Sequence, residues 1–394
     1  MQAHRAQKAG FAGGIQGTAV VSKGYEKLLR GNPNRGIYPA PPRLYGLYSF
    51  HGCLRNRKRF CELVCKPDCG AHSLHLRVCA AFFEFLMYKE FDDFLFPKQT
   101  SHNMIAVRKP KGEVKQRIVM VGHSDSQFEW TLNYLIGGLQ AKLFVEIPAV
   151  VGLIVQTVFA LVCIIAGKGG AAVNIQSARW FFILFFVISC VFIPFEFAFL
   201  FFQSWTKSVP GASDNLSGCY VGMAVVKALD EAKVRFENTE VVVICSGSEE
   251  AGLRGSKAYA KAHEKELKEI PTCVVALDTF RDLETMAVYH RDLSGTLQHH
   301  DGTKVLVHDA CANCGFDVKY ESIYIGGSDA ASFTQRGIPA TGFAAMDPAP
   351  PRYYHTRLDT PENLRPEAIK AGIEIMIEAC CMFDKDGIDG LTNR

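Results

Sequence analysis

The sequence predicts an α/β protein with a largely parallel sheet. Short β-branched runs alternate along the chain with longer amphipathic stretches, which is the pattern of strands alternating with helices. Residues 240–245 and 273–277 are continuous apolar runs, as expected for strands covered on both faces. Histidine and acidic residues follow several of these runs, where the carboxyl ends of parallel strands gather functional loops.

The first predicted elements lie between residues 101 and 233. Residues 104–107 and 117–121 are predicted strands on either side of a Lys-Pro-Lys-Gly turn at 109–112. Residues 218–233 are apolar-periodic and predict a helix, for which Asp214 or Asn215 is a suitable N-cap.

The same alternation continues to the end of the chain. We predict the following further elements: strands at 240–245, 273–277 and 320–325, and helices at 252–268, 305–311 and 366–383.

The stretch from 143 to 203 has a different character. Residues 147–167 contain no charge, residues 180–195 are nearly all large and apolar, and the apolar run resumes at 197–202 after Glu196. A helix needs about 20 apolar residues to cross a bilayer. We therefore predict a two-helix transmembrane hairpin in contact with lipid. The alternative is a buried helical pair in a soluble core, which rarely lacks a polar face for so long.

Composition narrows the function and the compartment. The formal net charge is only +3, so no basic face indicates nucleic-acid binding. Fourteen cysteines are scattered along the chain, and the first residues lack the apolar core of a secretory signal. These features favour a reducing compartment, hence a cytoplasmic catalytic domain on a multi-pass membrane protein. The cationic residues flanking the hairpin leave its orientation nearly balanced.

Seven residues at strand ends and in Gly/Ser-rich turns form a candidate metal site. They are His123, Asp125, Asp214, Glu249, Glu250, Asp278 and His355. A mixed set of histidine and carboxylate donors suits zinc, or cobalt or manganese, rather than calcium. Two histidines and three carboxylates exceed one tetrahedral zinc, and they suffice for two ions if one carboxylate bridges.

The spacing of these residues suggests helpers beside the ligands. His123 and Asp125 lie two residues apart at a strand end, so their side chains share a face and Asp125 can orient the imidazole. Glu249 and Glu250 are adjacent, so in a turn they diverge. One can bind metal while the other acts as a base.

Several segments resemble peptidase family M28, the zinc exopeptidases that include double-zinc aminopeptidases. They are His-x-Asp at 123–125, Gly-Ala-Ser-Asp-Asn-Leu-Ser-Gly at 211–218, Ser-Gly-Ser-Glu-Glu-Ala-Gly-Leu-Arg-Gly-Ser at 246–256, Leu-Asp at 277–278 and Tyr-Tyr-His-Thr-Arg-Leu-Asp-Thr at 353–360. The resemblance implies a three-layer α/β/α fold with a mixed, mainly parallel sheet. The roles it implies are as follows: His123 and Asp278 bind one zinc, Glu250 and His355 bind the other, Asp214 bridges both, Glu249 is the general base and Asp125 orients His123.

The chain also departs from the family pattern. The connection between Asp125 and Asp214 is normally short, and here it holds the predicted hairpin. Where many members read Ser-Asp-His, residues 328–330 read Ser-Asp-Ala. We therefore expect three parts: an N-terminal region at 1–100 of uncertain structure, a peptidase domain at 101–390, and the hairpin at 143–203 inserted within it.

The resemblance implies a membrane-anchored aminopeptidase that hydrolyses N-terminal peptide bonds of a peptide substrate, using water held by two zincs and a glutamate base. The alternatives are a carboxypeptidase or glutaminyl-cyclase-like member of the same fold, or a non-catalytic membrane scaffold. The sequence leaves the oligomeric state open.

For two other groups of residues we expect no functional role. His299 and His300, beside Asp301-Gly302, are expected in an exposed turn. The pair Cys311 and Cys314 forms an isolated CxxC, for which free thiols are expected.

Overall fold

The computed structural model describes residues 98–168 and 175–388 and, before them, residues 83, 87–90 and 93. The predicted N-terminal region, residues 1–100, therefore falls almost entirely outside the described residues. Ten strands are found in the described ranges: β1 Met104–Arg108, β2 Gln116–His123, β3 Phe128–Trp130, β4 Gln203–Ser208, β5 Thr239–Ser246, β6 Thr272–Phe280, β7 Met286–Asp292, β8 Leu297–Gln298, β9 Lys319–Ser322 and β10 Ala340–Ala345.

The described ranges also contain ten α-helices, and no α-helix separates β6, β7 and β8. The helices are α1 Thr131–Ile136, α2 Gly138–Ala141, α3 Ile147–Lys168, α4 Ile175–Phe199, α5 Ser217–Glu231, α6 Arg254–Ala262, α7 Glu264–Glu269, α8 Asp301–Asn313, α9 Asp329–Thr334 and α10 Pro366–Asp386.

Eight strands form one mixed sheet in the order β1-β5-β2-β6-β10-β7-β8, with β9 paired to β7. The central strands β5, β2, β6 and β10 run parallel, whereas β1 and β7 pair antiparallel to their neighbours. Strands β3 and β4 form a separate antiparallel pair. The predicted mixed, mainly parallel sheet is confirmed.

The central strands are covered on both faces. Ile118 and Met120 of β2 belong to one apolar core, and Val119 and Val121 belong to the core on the opposite face. This alternation follows from the period of two along a strand. Every residue of β5 is buried, as the continuous β-branched run predicts.

Helices supply the two outer layers. Residues of α5, α8 and α10 pack in the first core, while residues of α6, α7 and α9 pack in the second. The result is the three-layer α/β/α architecture. It aligns the carboxyl ends of β2, β5 and β6 along one sheet edge, since these three strands are mutually parallel.

Some predicted elements differ from those observed. The helix predicted at 252–268 is two helices, α6 and α7, because the backbone at His263 leaves helical geometry at φ −107° and ψ 11°. The strand predicted at 320–325 ends at Ser322. The N-cap of α5 is Leu216 rather than the predicted Asp214 or Asn215, although Asn215 Oδ1 accepts the Gly218 N–H at 3.0 Å.

Helices α3 and α4 fall in the predicted hairpin and contact each other closely. The rings of Phe159 and Phe185 stack with centroids 3.4 Å apart, and Gln156 donates to the Glu196 carboxylate at 2.8 Å. Within the described residues, one helical segment, Gly138–Phe159, is long and apolar enough to cross a membrane.

Candidate metal centre

The seven predicted site residues arrive from five parts of the fold. His123 ends β2, Glu249 and Glu250 follow β5, and Asp278 lies near the end of β6. Asp214 lies in a π-helical turn, Ala212–Leu216, that leads into α5, and its peptide bond to Asn215 is cis. His355 lies in the loop between β10 and α10, in left-handed backbone at φ 53°.

The Asp214 carboxylate lies between the two imidazoles. Its Oδ1 is 3.2 Å from His123 Nε2, and its Oδ2 is 2.8 Å from His355 Nε2. The three side chains are almost fully buried. A carboxylate that offers one oxygen to each of two histidines has the geometry that a bridging ligand requires.

The remaining acids divide between the two histidines. Glu250 Oε1 is 3.3 Å from His355 Nε2. Asp278 Oδ1 and Glu249 Oε2 are 3.9 and 3.8 Å from His123 Nε2. Donor atoms of His123, Asp214 and Glu250 all lie within 4.8 Å of one another, close enough to hold one metal ion. The structure thus brings all seven predicted residues to one place.

Asp125 contacts the turn after β5 in addition to its predicted partner, His123. Its carboxylate accepts the backbone N–H groups of Glu249 and Glu250, at 3.0 and 3.1 Å. The same carboxylate is 3.7 Å from His123 Nδ1, whereas the Asp125 backbone oxygen is 3.2 Å from that nitrogen. Asp125 therefore fixes the turn that carries the two glutamates as well as contacting the imidazole.

Other polar residues hold the ligand side chains in place. Gln127 donates to Glu250 Oε2 at 2.9 Å. Asp359 accepts the N–H groups of Ser213 and Asp214 at 2.8 and 3.0 Å, so it fixes the π-helical turn. Sequence reasoning missed both roles. Gln127 lies four residues after His123 and Asp359 lies four after His355, so proximity to each ligand was the available signal.

Burial and charge shift the proton affinities in the centre. Burial acts to lower the pKa of His123, but the Glu249 and Asp214 carboxylates outweigh it, so this pKa lies well above its usual range. Burial likewise opposes the change at His355, where Glu250 and Asp214 raise the pKa to about 10. Burial raises the pKa of Glu249 well above the ordinary value.

These shifts describe a site with surplus negative charge at the imidazole nitrogens. A divalent cation would supply the positive charge that the crowded carboxylates otherwise draw from protonated imidazoles. Two buried polar atoms of the centre also lack a hydrogen-bond partner, Glu250 Oε1 and His355 Nδ1. The donor set and the unpartnered carboxylate oxygen fit a bound metal ion.

An aromatic wall encloses His355. The indole of Trp130 lies edge-on to its ring with centroids 4.3 Å apart, and Tyr354 stacks on it with centroids 3.8 Å apart. The backbone N–H of Trp130 also donates to the His355 carbonyl at 2.7 Å. Phe202, which follows α4, packs on Trp130 with centroids 4.6 Å apart.

The prediction that His299 lies in an exposed turn is wrong. His299 is 2% exposed rather than in an exposed turn. Its Nε2 is 3.2 Å from the Asp292 carboxylate and its Nδ1 is 2.8 Å from the Thr334 hydroxyl, so burial is compensated by two polar partners. Cys311 and Cys314 are free thiols, as predicted.

Comparison with known proteins finds a family match for part of this chain. Residues 201–380 match the sequence profile of peptidase family M28. The matched range includes Asp214, Glu249, Glu250, Asp278 and His355, and it begins within the last three residues of the predicted hairpin. No sequence match was found among curated proteins.

Solved structures with a similar fold include three enzymes. An aminopeptidase from Aneurinibacillus sp. strain AM-1 has a TM-score of 0.44 and 20% identity, over 72% of this chain and 48% of its own. A zinc aminopeptidase from Bacillus subtilis has a TM-score of 0.44 and 22% identity, over 73% and 51%. A glutaminyl cyclase from Porphyromonas gingivalis has a TM-score of 0.45 and 12% identity, over 70% and 76%. The chain spans about half the length of the two aminopeptidases.

The α/β/α fold thus carries a segment, residues 201–380, whose sequence is similar to that of a peptidase family. That segment is similar to peptidase family M28 and covers a little under half of the chain.

Proposed function

We propose that this chain is a membrane-anchored, zinc-dependent aminopeptidase that hydrolyses the N-terminal bond of peptides. The observation that carries the proposal is the position of Asp214, with one carboxylate oxygen near each of two buried histidines. In such an arrangement Asp214 would contribute to the binding of two zinc ions per chain.

The remaining residues would complete the two sites. His123 and Asp278 would hold one ion, and Glu250 and His355 the other, because Asp278 lies on the His123 side and Glu250 on the His355 side. When bound, the ions would polarise the scissile carbonyl and increase the acidity of water.

Glu249 would move the proton. Its carboxylate lies 3.8 Å from His123 Nε2, so it faces the same space as the ligands. In the proposal Glu249 binds neither ion. In the proposed reaction Glu249 takes the proton of the attacking water and later delivers it to the leaving amine. The two N–H bonds to Asp125 hold the backbone of Glu249 and Glu250 in the required orientation.

The proposed peptidase domain spans residues 101–390 and carries the hairpin 143–203 as an insertion. Support for the insertion comes from the sheet, in which β2 precedes the hairpin and pairs with β5 and β6, which follow it, and from the apolar segment Gly138–Phe159. Close packing of α3 on α4 further supports a two-helix unit, since a Cβ at Gly152 would meet Phe192 Cβ at 2.5 Å. We propose that two crossings return the chain to one side, which we take to be the cytoplasm.

Metal analysis paired with a substrate panel tests the proposal. The full chain, purified in detergent, should contain about two zinc ions and hydrolyse aminoacyl p-nitroanilides, and a chelator should abolish the activity. One zinc per chain with cyclisation of N-terminal glutamine would favour the glutaminyl-cyclase alternative. Blocked peptides cleaved only from the carboxyl end would favour a carboxypeptidase. Bound zinc with no reaction on any substrate would favour a scaffold.

A further inference from the structure

A cavity of about 460 Å³ opens beside the metal centre. His123, Asp214, Glu249, Glu250, Asp278 and His355 line one part of it. A volume of this size is in the range of small-ligand sites, which are generally apolar with a few polar groups. The cavity is therefore the space in which a substrate would contact the centre.

One wall of this cavity is built by the apolar helices. Ile147, Val150 and Val151 line it from the first turns of α3, next to Lys142 and Glu146 of the preceding turn, and Phe199 and Phe202 line it from the end of α4 and just beyond. Positions i, i+3 and i+4 share one face of a helix, so the three α3 residues present a continuous apolar strip. We call these five residues the helical wall.

Part of the helical wall is exposed and can contact a substrate, and part of it packs through Trp130 onto the metal centre. Ile147 and Val150 are 45% and 46% exposed, so their side chains are free to bury a partner. Phe202 is buried and packs on Trp130, which in turn contacts His355. An apolar group on this wall would therefore lie next to a proposed zinc ligand.

The three α3 residues also lie outside residues 201–380, which match the family profile. Most of the wall thus belongs to this chain's insertion, and Phe202 alone of its five residues lies in the matched segment.

We propose that the helical wall is the subsite for a bulky apolar side chain at the N-terminal residue of the peptide. The inference rests on the proposed peptidase function and narrows its substrate to peptides that begin with a residue such as leucine or phenylalanine. The inserted helix then has a second role besides anchoring, since its first turns select the substrate.

Selectivity measurements on the full chain test the subsite. Wild-type protein with zinc should hydrolyse leucyl and phenylalanyl p-nitroanilides with kcat/KM at least about tenfold above the alanyl and lysyl compounds, as one or more methylene groups discriminate in an apolar pocket. Val150→Glu should lower kcat/KM for leucyl p-nitroanilide about tenfold or more and raise that for the lysyl compound, because a carboxylate in the wall repels apolar groups and attracts a cation.

Two further variants protect this test against misfolding. Ile147→Ala should lower the preference for leucine over alanine by removing apolar contact without adding charge. Val158→Ala is the matched control, since Val158 is an exposed residue of the same helix that does not line the cavity. It should leave the preference unchanged.

The outcomes separate the subsite from the function. If wild-type protein hydrolyses no substrate in the panel, the aminopeptidase assignment fails and the subsite fails with it. If chelator-sensitive hydrolysis shows no apolar preference, or if Ile147→Ala and Val150→Glu change all substrates equally, the function stands and the helical wall is not the subsite.

Discussion

The indole ring of Trp130 lies edge-on against the imidazole of His355, with ring centroids 4.3 Å apart and an angle of 89° between the planes. The Trp130 backbone also donates to the His355 carbonyl at 2.7 Å. These contacts hold a residue whose backbone is left-handed, an unusual conformation for a side chain with a Cβ. Trp130 thus holds the proposed ligand through both a ring contact and a backbone hydrogen bond.

Replacing Trp130 by leucine should weaken zinc binding while preserving the fold. Loss of the edge-on ring frees His355 to turn, and loss of a residue that orients a metal ligand typically costs about 10- to 100-fold in metal affinity. The measurement is zinc affinity by competition with a chromophoric chelator. Trp180→Leu is the control, because Trp180 is 78% exposed and distant in sequence from the site. Equal zinc affinity in both variants would contradict the positioning role.

Glu249→Gln should retain both metal sites and lose nearly all turnover. The amide has the size of the carboxylate but cannot accept the proton, and removing a general base costs about 10²- to 10⁴-fold. Zinc content and kcat are measured on the same preparation. Glu250→Gln is the informative comparison, since that residue contacts His355 at 3.3 Å and its loss should reduce zinc content as well. Near-wild-type kcat in Glu249→Gln would sink the proposed mechanism.

Removing the metal should lower the thermal midpoint of unfolding. The proposed ligands come from the ends of β2 and β6, the turn after β5, the turn before α5 and the loop before α10, so the two bound ions together would join five parts of the fold. A ligand at 1,000 times its Kd stabilises by about 4 kcal/mol. Differential scanning with and without chelator measures the change. In Asp214→Ala the midpoint should no longer respond to chelator, and an unchanged response there would place the metal elsewhere.

Strands that are long and rich in β-branched residues could be predicted from the sequence. Elements that are short, or that form because of their neighbours in the fold, could not. Strand β10, Ala-Thr-Gly-Phe-Ala-Ala, has weak strand propensity, and it forms a strand because β6 and β7 flank it. Helix α9 has six residues, which is too short for a helical period to be visible.

The site residues likewise divide into those that could be predicted from the sequence and those that could not. Ligand-type residues at strand ends could be predicted because the chemistry of a metal site limits residue type. The residues that hold them could not, since Gln127 reaches Glu250 across 123 positions of the chain. His299 was misjudged for a related reason. Its acceptor Asp292 is buried with it, and only the fold brings Thr334 to its other ring nitrogen.

Asp292→Ala should destabilise the protein and disturb substrate binding. The Asp292 carboxylate accepts the Leu293 N–H at 2.6 Å, and both the N–H and the hydroxyl of Ser328, a residue that lines the cavity. Removing one partner from a buried charged network costs about 3–5 kcal/mol. Thermal unfolding should shift downward and KM should rise more than kcat falls. The exposed Asp317→Ala is the control, and equal stability of the two variants would contradict the argument.

Two ion pairs, one buried and one exposed, allow a test of how much a buried ion pair stabilises the sheet. Arg117 of β2 and Glu240 of β5 are 5% and 6% exposed, with Nε and Oε2 2.5 Å apart. Glu240→Gln leaves the guanidinium buried with less compensation, because Glu266, its other partner, is about half exposed. We expect a loss of about 3–5 kcal/mol. Lys111 and Glu237 form a pair with side chains 59% and 68% exposed, so Glu237→Gln should change stability by no more than about 1 kcal/mol. Urea unfolding of both variants measures the difference, and a Glu240→Gln protein as stable as Glu237→Gln would show that the buried pair contributes little to the fold.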